Sequence, residues 1–271
     1  VTGPANATDH RIKWTSSNKT AATVDENGTV TALRPIETVT ITAVYKTNPA
    51  LTCSWNLKIT RTKGYITKQM LDNLDLTAIK KVMITAHPDD ETLWGGGHLI
   101  EGEYLVVCMT HGWNPKRRTA FEQTMRTTNE KYLILDYPDV RKTFSNGKYE
   151  TDMLSTCKNA MQEDINLILS YKKWDLIATH NPFGEYGKFL HKTISQMVTQ
   201  CYNKMTNKSA TLYYFGRYYN SSNKIPGEQI APELLAIKNS MVDRYYPTAK
   251  GAIVAFGHMI PYENWLLPSE W

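Results

Sequence analysis

The sequence predicts two parts: a small all-β sandwich, then an α/β domain built on a parallel sheet with flanking helices. Two observations predict this. Up to about Thr60, apolar and polar residues alternate singly and no helical period occurs. After a polar stretch, short apolar runs alternate with helix-length amphipathic segments, the pattern of strands joined by crossover helices. The expected boundaries are 1–62 for the first module, 63–77 for a linker and 78–271 for the α/β domain. A polar linker also predicts that the two parts unfold separately.

In the first part, Val39, Ile41, Ala43 and Tyr45 alternate with Thr38, Thr40, Thr42 and Val44, so that strand has one buried face. Cys53, Trp55, Leu57 and Ile59 alternate in the same way. Asp25-Glu26-Asn27-Gly28 is a turn cluster joining Ala22-Thr23-Val24 to Thr29-Val30-Thr31-Ala32, a hairpin signature. In the second part the strand-like runs are Val82–Ile84, Leu105–Met109, Tyr132–Leu135, Asp175–Ala178 and Leu212–Phe215. In parallel sheets chemistry collects at the carboxyl ends of the strands, so the residues after these runs matter most.

Composition narrows the function classes. The chain has 271 residues, 41% of them hydrophobic, enough for a core without staples. A formal charge of +5 is small, and the densest basic cluster, Lys116-Arg117-Arg118, is too short to argue for nucleic acid. No apolar run approaches the roughly 20 residues a membrane span needs. The four cysteines lie far apart with no metal-ligand spacing, and Cys53 and Cys108 read as small buried hydrophobes. Val1-Thr2-Gly3-Pro4 has neither the charged nor the apolar region of a signal peptide. Nothing in the sequence calls for an obligate protein partner.

Directly after the first apolar run of the α/β part stands Ala86-His87-Pro88-Asp89-Asp90-Glu91-Thr92. Imidazole and carboxylate are both good zinc ligands, and a catalytic zinc takes about three of them plus an open position. Adjacent carboxylates in an irregular turn point different ways, so one can ligate while the other acts as a base. The plainer reading is a helix start, with Asp90 or Thr92 capping and Glu91 favouring the dipole. A second polar loop follows the run at Asp175–Ala178: Thr179-His180-Asn181-Pro182-Phe183-Gly184-Glu185-Tyr186-Gly187, then Lys188-Phe189-Leu190-His191 opening a helix. Two such loops at strand ends mean more together than either does alone.

Two families resemble these stretches. Trp14-Thr15-Ser16-Ser17-Asn18, Ala22-Thr23-Val24-Asp25, Asn27-Gly28 and Val30-Thr31-Ala32-Leu33 resemble the bacterial Ig-like group 2 family. That resemblance implies a β-sandwich found mainly in surface-exposed or secreted bacterial proteins, hence an extracellular or cell-surface location, and a spacer or adhesion role. The family's leading strand is missing, so the chain is expected to begin part-way into the module. Its usual glycine after the Ala-Leu pair gives way to the Ile36-Glu37 stretch.

The His-Pro-Asp-Asp-Glu stretch at 87–91, Trp94-Gly95-Gly96-Gly97, His180-Asn181-Pro182, Gly184-Glu185-Tyr186-Gly187, Gly257-His258 and Pro261-Tyr262-Glu263-Asn264-Trp265 resemble the LmbE/PIG-L deacetylase family over roughly 78–271. The resemblance implies a Rossmann-like fold and hydrolysis of an N-acetyl amide on an amino sugar or glycoconjugate. It implies that His87, Asp90 and His191 bind zinc, other divalent metals being possible. Asp89 is implied as the general base and Tyr186 as a group near the carbonyl. Where the family usually has His-x-x-His, this chain has Lys188 in the first position. Either Lys188 and Tyr186 share the donor's role, or activity is weak or lost. His258 is a spare acid or a structural residue. Arg117 or Arg118 corresponds to a substrate-contacting arginine, and Trp94 and Trp113 either stack on a sugar ring or pack. The alternatives are a carbohydrate-binding pseudoenzyme and an N-acyl amidase for a non-glycan conjugate.

Overall fold

The computed structural model describes residues 11–142, 149–150, 152–206 and 208–271. The first ten positions of the Ig-like module lie outside the described residues. Strands β1 (Ile12–Ser16), β4 (Ile36–Tyr45) and β5 (Thr52–Ile59) form an antiparallel sheet in the order β1-β4-β5. Strands β2 (Ala22–Val24) and β3 (Val30–Ala32) form the expected hairpin. The singly alternating Val39, Ile41 and Ala43 are all buried, as one face of β4 requires. Gly28 has φ +84°, and a Cβ there would stand 2.6 Å from the Trp14 ring, so the turn needs glycine. Cys53 corrects an expectation. It is exposed, because β5 is the edge strand of its sheet and even Trp55 is 45% exposed there.

The α/β domain carries β6 (Lys81–Thr85), α2 (Asp90–Glu101), β7 (Tyr104–Thr110), α3 (Pro115–Thr128) and β8 (Lys131–Tyr137). A two-stranded ribbon, β9 (Arg141–Lys142) with β10 (Tyr149–Glu150), precedes α4 (Asp152–Tyr171) and β11 (Leu176–Thr179). The short turn α5 (Gly184–Gly187), then α6 (Phe189–Lys204), β12 (Thr211–Tyr214) and α7 (Pro232–Phe256) follow. Each of the five apolar runs forms a strand of one parallel sheet, ordered β12-β11-β6-β7-β8 and flanked by helices. The chain steps outward from β6 to β8, then returns through α4 to lay β11 on the other side of β6. A crevice opens at such a reversal, outside the carboxyl ends of the two strands. No helix of the described residues is long and apolar enough to cross a membrane.

Residues 63–77 are not a loose linker. Thr67 caps the short helix α1 (Lys68–Asp72), accepting from the Met70 N–H, and Ile66, Leu71 and Leu76 sink into the α/β core. Burying one such side chain is worth about 1.5–3 kcal/mol. Asp164 on α4 fixes the entry, accepting from the N–H groups of Tyr65 (2.9 Å) and Ile66 (2.8 Å) and from the Tyr137 hydroxyl (2.6 Å). The segment belongs to the α/β domain because apolar side chains hidden among its polar residues find the sheet.

The glycines of α2 are explained by packing. A Cβ on Gly96 would lie 2.9 Å from Lys238, and one on Gly97 would lie 3.1 Å from Glu263. Lys238 on α7 is fully buried and pairs with Glu263 at 2.6 Å, while Glu263 also accepts from Gly97 N–H and the His98 ring. Burial opposes ionisation of Glu263, but Lys238 and His98 hold its carboxyl down at about 2. A depressed acid contributes its stability above the ordinary pKa of 4.5 and loses it as pH falls through about 2. Lys238→Met leaves that charge buried with only His98 and the Gly97 N–H as partners. It should cost about 3–5 kcal/mol in urea unfolding at pH 7 and move acid unfolding to higher pH. A loss below about 1 kcal/mol would show that the pair holds nothing together.

Candidate metal centre

The two polar loops meet at the reversal between β6 and β11. His87 and Asp90 come from the first, and His191 comes from the first turn of α6. His87 Nδ1 stands 3.1 Å from His191 Nε2 and 3.2 Å from Asp90 Oδ2, and His191 Nε2 stands 3.3 Å from Asp90 Oδ2. All three side chains are buried.

The outer nitrogens are already committed. His87 Nε2 lies 2.9 Å from Asp139 Oδ1, and His191 Nδ1 lies 2.5 Å from Glu185 Oε2. With those N–H groups donated outward, His87 Nδ1 and His191 Nε2 turn lone pairs towards each other and towards a carboxylate. Three acceptors at this spacing need positive charge among them. Burial works against a second proton on His87, but Asp139 and Asp90 carry its pKa up to about 9. Burial drops His191 to about 4, so that ring stays neutral. A proton satisfies one edge of the triangle, whereas a metal ion satisfies all three. Ligand atoms about 2.0–2.1 Å from a tetrahedral zinc stand roughly 3.3–3.4 Å from one another, close to the spacing found here.

The backbone that aims these groups is unusual. Asp89 has φ 136°, a region that favours glycine, and is held by its N–H to Glu91 Oε2 at 3.1 Å. Glu91 is itself pinned by Thr92 Oγ1 (2.7 Å) and the Tyr245 hydroxyl (2.6 Å). It therefore braces the turn from inside instead of facing the helix dipole in water. In the second loop, Gly187 has φ +98° and Glu185 φ 52°. Asn181 ties that loop down, its Oδ1 accepting from the N–H of Phe183 and Glu185 and its Nδ2 donating to the Phe215 and Gly216 carbonyls.

A cleft of about 130 Å3 opens beside the three acceptor atoms, lined among others by Asp89, Trp94, Arg117, Asp139, Tyr186 and Lys188. Burial, then the neighbouring Asp90 charge, pushes the Asp89 carboxyl up to about 8, with Arg117 opposing from 3.7 Å. Lys188 precedes α6, half-buried, and against burial the Asp139 carboxyl is held well below the usual carboxylate range by His87, then His111, with Lys188 adding to them. Tyr186, 43% exposed, stands at the rim with its ring 4.5 Å from that of Phe256.

Three expected site residues are not brought in. His258 Nε2 lies 2.7 Å from the Tyr219 carbonyl, which takes its proton and gives it a structural place. Arg118 is exposed and faces Asp136, leaving Arg117 as the arginine of the cleft. Trp113 does not line the cleft, and the Arg34 guanidinium lies 4.3 Å from its ring centroid. Conversely, Asp139 was not singled out by the sequence, since no histidine or cysteine stands beside it to suggest a ligand motif. Glu185 stood only as part of a loop motif. A carboxylate six residues before a ligand histidine on a glycine-flanked turn is the one signal that marked it. Asp139→Asn and Glu185→Gln should each weaken zinc binding about 10- to 100-fold in chelator competition. Unchanged affinity in both would mean that these carboxylates do not fix the rings.

Residues 1–54 match the bacterial Ig-like domain (group 2) family. Among solved structures the chain is similar to the conserved protein TT1542 from Thermus thermophilus, at 12% identity and a TM-score of 0.47, over 70% of this chain and 94% of that one. It is 33% identical over 94 residues to "Uncharacterized protein CA_P0160" of Clostridium acetobutylicum, covering 34% of this chain but only 10% of that protein. To "Uncharacterized protein L374" of Acanthamoeba polyphaga mimivirus it is 31% identical over 175 residues, which cover 58% of this chain and 67% of the viral protein. At that identity and coverage, the chain belongs to the family of the viral protein.

Proposed function

We propose that this protein hydrolyses the N-acetyl amide of an amino sugar or glycoconjugate and releases acetate, in the extracellular space or at a bacterial cell surface. The observation that carries the reading is the triangle of acceptor atoms from His87, Asp90 and His191 with Asp89 beside it in a small cleft. His87, Asp90 and His191 would hold a divalent cation, zinc by the mixed nitrogen and oxygen donors though other ions fit such sets, and it would supply Lewis-acid polarisation of a carbonyl and a more acidic water. The Ig-like module supports the location, since its family occurs in bacterial surface proteins.

The chain's own residues divide the remaining work. Asp89, beside the triangle in the cleft, takes a proton from the water as its oxygen bonds to the amide carbon. Tyr186 and Lys188 supply the O–H and N–H donors that stabilise the carbonyl oxygen as negative charge grows on it. Lys188 Nζ then protonates the departing amine nitrogen as the C–N bond breaks, and Asp89 returns its proton to Lys188. The substitution of Lys188 for the histidine of the resembled family favours a second reading, a sugar-binding protein without turnover.

Acetate release from a panel of N-acetyl sugars, with and without chelator, tests the proposal. Chelator-sensitive release supports it, and stoichiometric zinc with no release on any substrate favours the binding protein. Asp89→Asn should nearly abolish release with zinc content intact, because an amide cannot accept the proton. Lys188→Ala should slow release about 10²- to 10³-fold, the size of one oxyanion donor, while Lys188→His keeps or raises it. An active parent indifferent to Lys188→Ala would remove the lysine from the mechanism.

A further inference from the structure

The Ig-like module touches a loop that reaches the metal centre through His111, which faces Asp139. Arg34 follows β3, and its guanidinium lies 4.3 Å from the ring centroid of Trp113 in the loop between β7 and α3. On its own side Arg34 is held by Thr20 Oγ1 (3.2 Å) and the Pro35 carbonyl (3.5 Å), so its planar face is already oriented when it meets the indole. A second bolt lies alongside, with Arg61 at 3.6 Å over the Tyr65 ring, whose edge meets Tyr137 at 4.9 Å.

The loop under Arg34 is short and tense. His111 has φ 65°, Gly112 donates to the Leu135 carbonyl at 2.9 Å, and Asn114 donates to the His111 carbonyl at 2.9 Å. A Cβ on Gly112 would lie 2.8 Å from Asp136 Oδ1, so the loop rests directly on the end of β8. From there the contacts run inward. The Trp113 and His111 rings are 6.3 Å apart, His111 Nε2 is 3.6 Å from Asp139 Oδ2, and Asp139 orients His87. The same loop ends in Asn114, which caps α3 just before Arg117.

We infer that Arg34 of the β-sandwich is a positioning residue for the metal centre, clamping the His111–Asn114 loop through Trp113. The module is then a working part of the catalytic domain and not a spacer. The claim about the metal rests on the function proposed above, but the claim about the loop does not.

Hydrogen exchange on the full chain separates the two. A cation–π contact of this kind is worth about 2- to 30-fold in an opening equilibrium. In Arg34→Ala, exchange at the Gly112 and Asn114 amides should quicken by that factor while amides of β4 and β7 keep their rates. Trp113→Ala should match it, the double variant should be no faster than either, and Arg34→Lys should fall between. Unchanged loop amides, or additive effects in the double variant, overturn the clamp. Zinc affinity by chelator competition should fall about 2- to 10-fold in Arg34→Ala with the protein still folded by circular dichroism. Loop amides that quicken while zinc binds at parental affinity overturn the positioning of the metal centre. A parent that binds no zinc refutes the metal reading, and the exchange data still decide the clamp.

Discussion

His87 and His191 face each other at 3.1 Å because each gives its other ring nitrogen to a carboxylate, half-buried Asp139 for one and buried Glu185 for the other. Asp139 and Glu185 fix both tautomers, and with them the direction of two lone pairs. Without that outward donation the rings would be free to turn and satisfy themselves with each other or with Asp90. Everything chemical in the cleft depends on this arrangement. It sets where positive charge is wanted, and the His191, His180 and His87 rings hold the Asp90 carboxyl well below its usual range against burial.

Such a centre carries a conformational cost that the surrounding fold must offset. Asp89 and Glu185 both sit at positive φ, and each strained position costs on the order of 1–3 kcal/mol. Glu91 braces the first turn through Thr92 and Tyr245, and Asn181 ties the second to the end of β12. Tyr245 lies on α7, the helix that also buries Lys238 over the glycines of α2. The helix therefore holds α2 in place and reaches back to the strained residue in front of it.

The Ig-like module and the α/β domain join through more than a peptide link. Arg34 lies over the Trp113 ring and Arg61 over the Tyr65 ring, both rings belonging to the larger domain. Contacts of this kind, worth roughly 0.5–2 kcal/mol each, work against independent unfolding of the two parts. A module recognisable from 54 residues of sequence thus acquires a role from the domain beside it.

The strands, the hairpin at Asp25–Gly28 and the two polar loops at strand ends were legible in the sequence, because alternation, apolar runs and turn chemistry are local properties of the chain. Strand order was not. Nothing local says that β11 returns to the side of β6, and that adjacency alone brings His191 to His87, 104 residues away. Asp139 acquires its role only when the end of β8 is folded beside the first loop. Apolar positions hidden in a polar stretch moved residues 63–77 from linker to core, since burial is decided by what packs above a side chain. His258 carries a chemistry-bearing side chain, but a carbonyl from a distant segment had already taken its proton. The sequence by itself determined the residue types and the elements. Only the tertiary structure decided which nitrogens, carboxylates and rings meet, because hydrogen bonds at about 3 Å depend on distances that long-range packing sets.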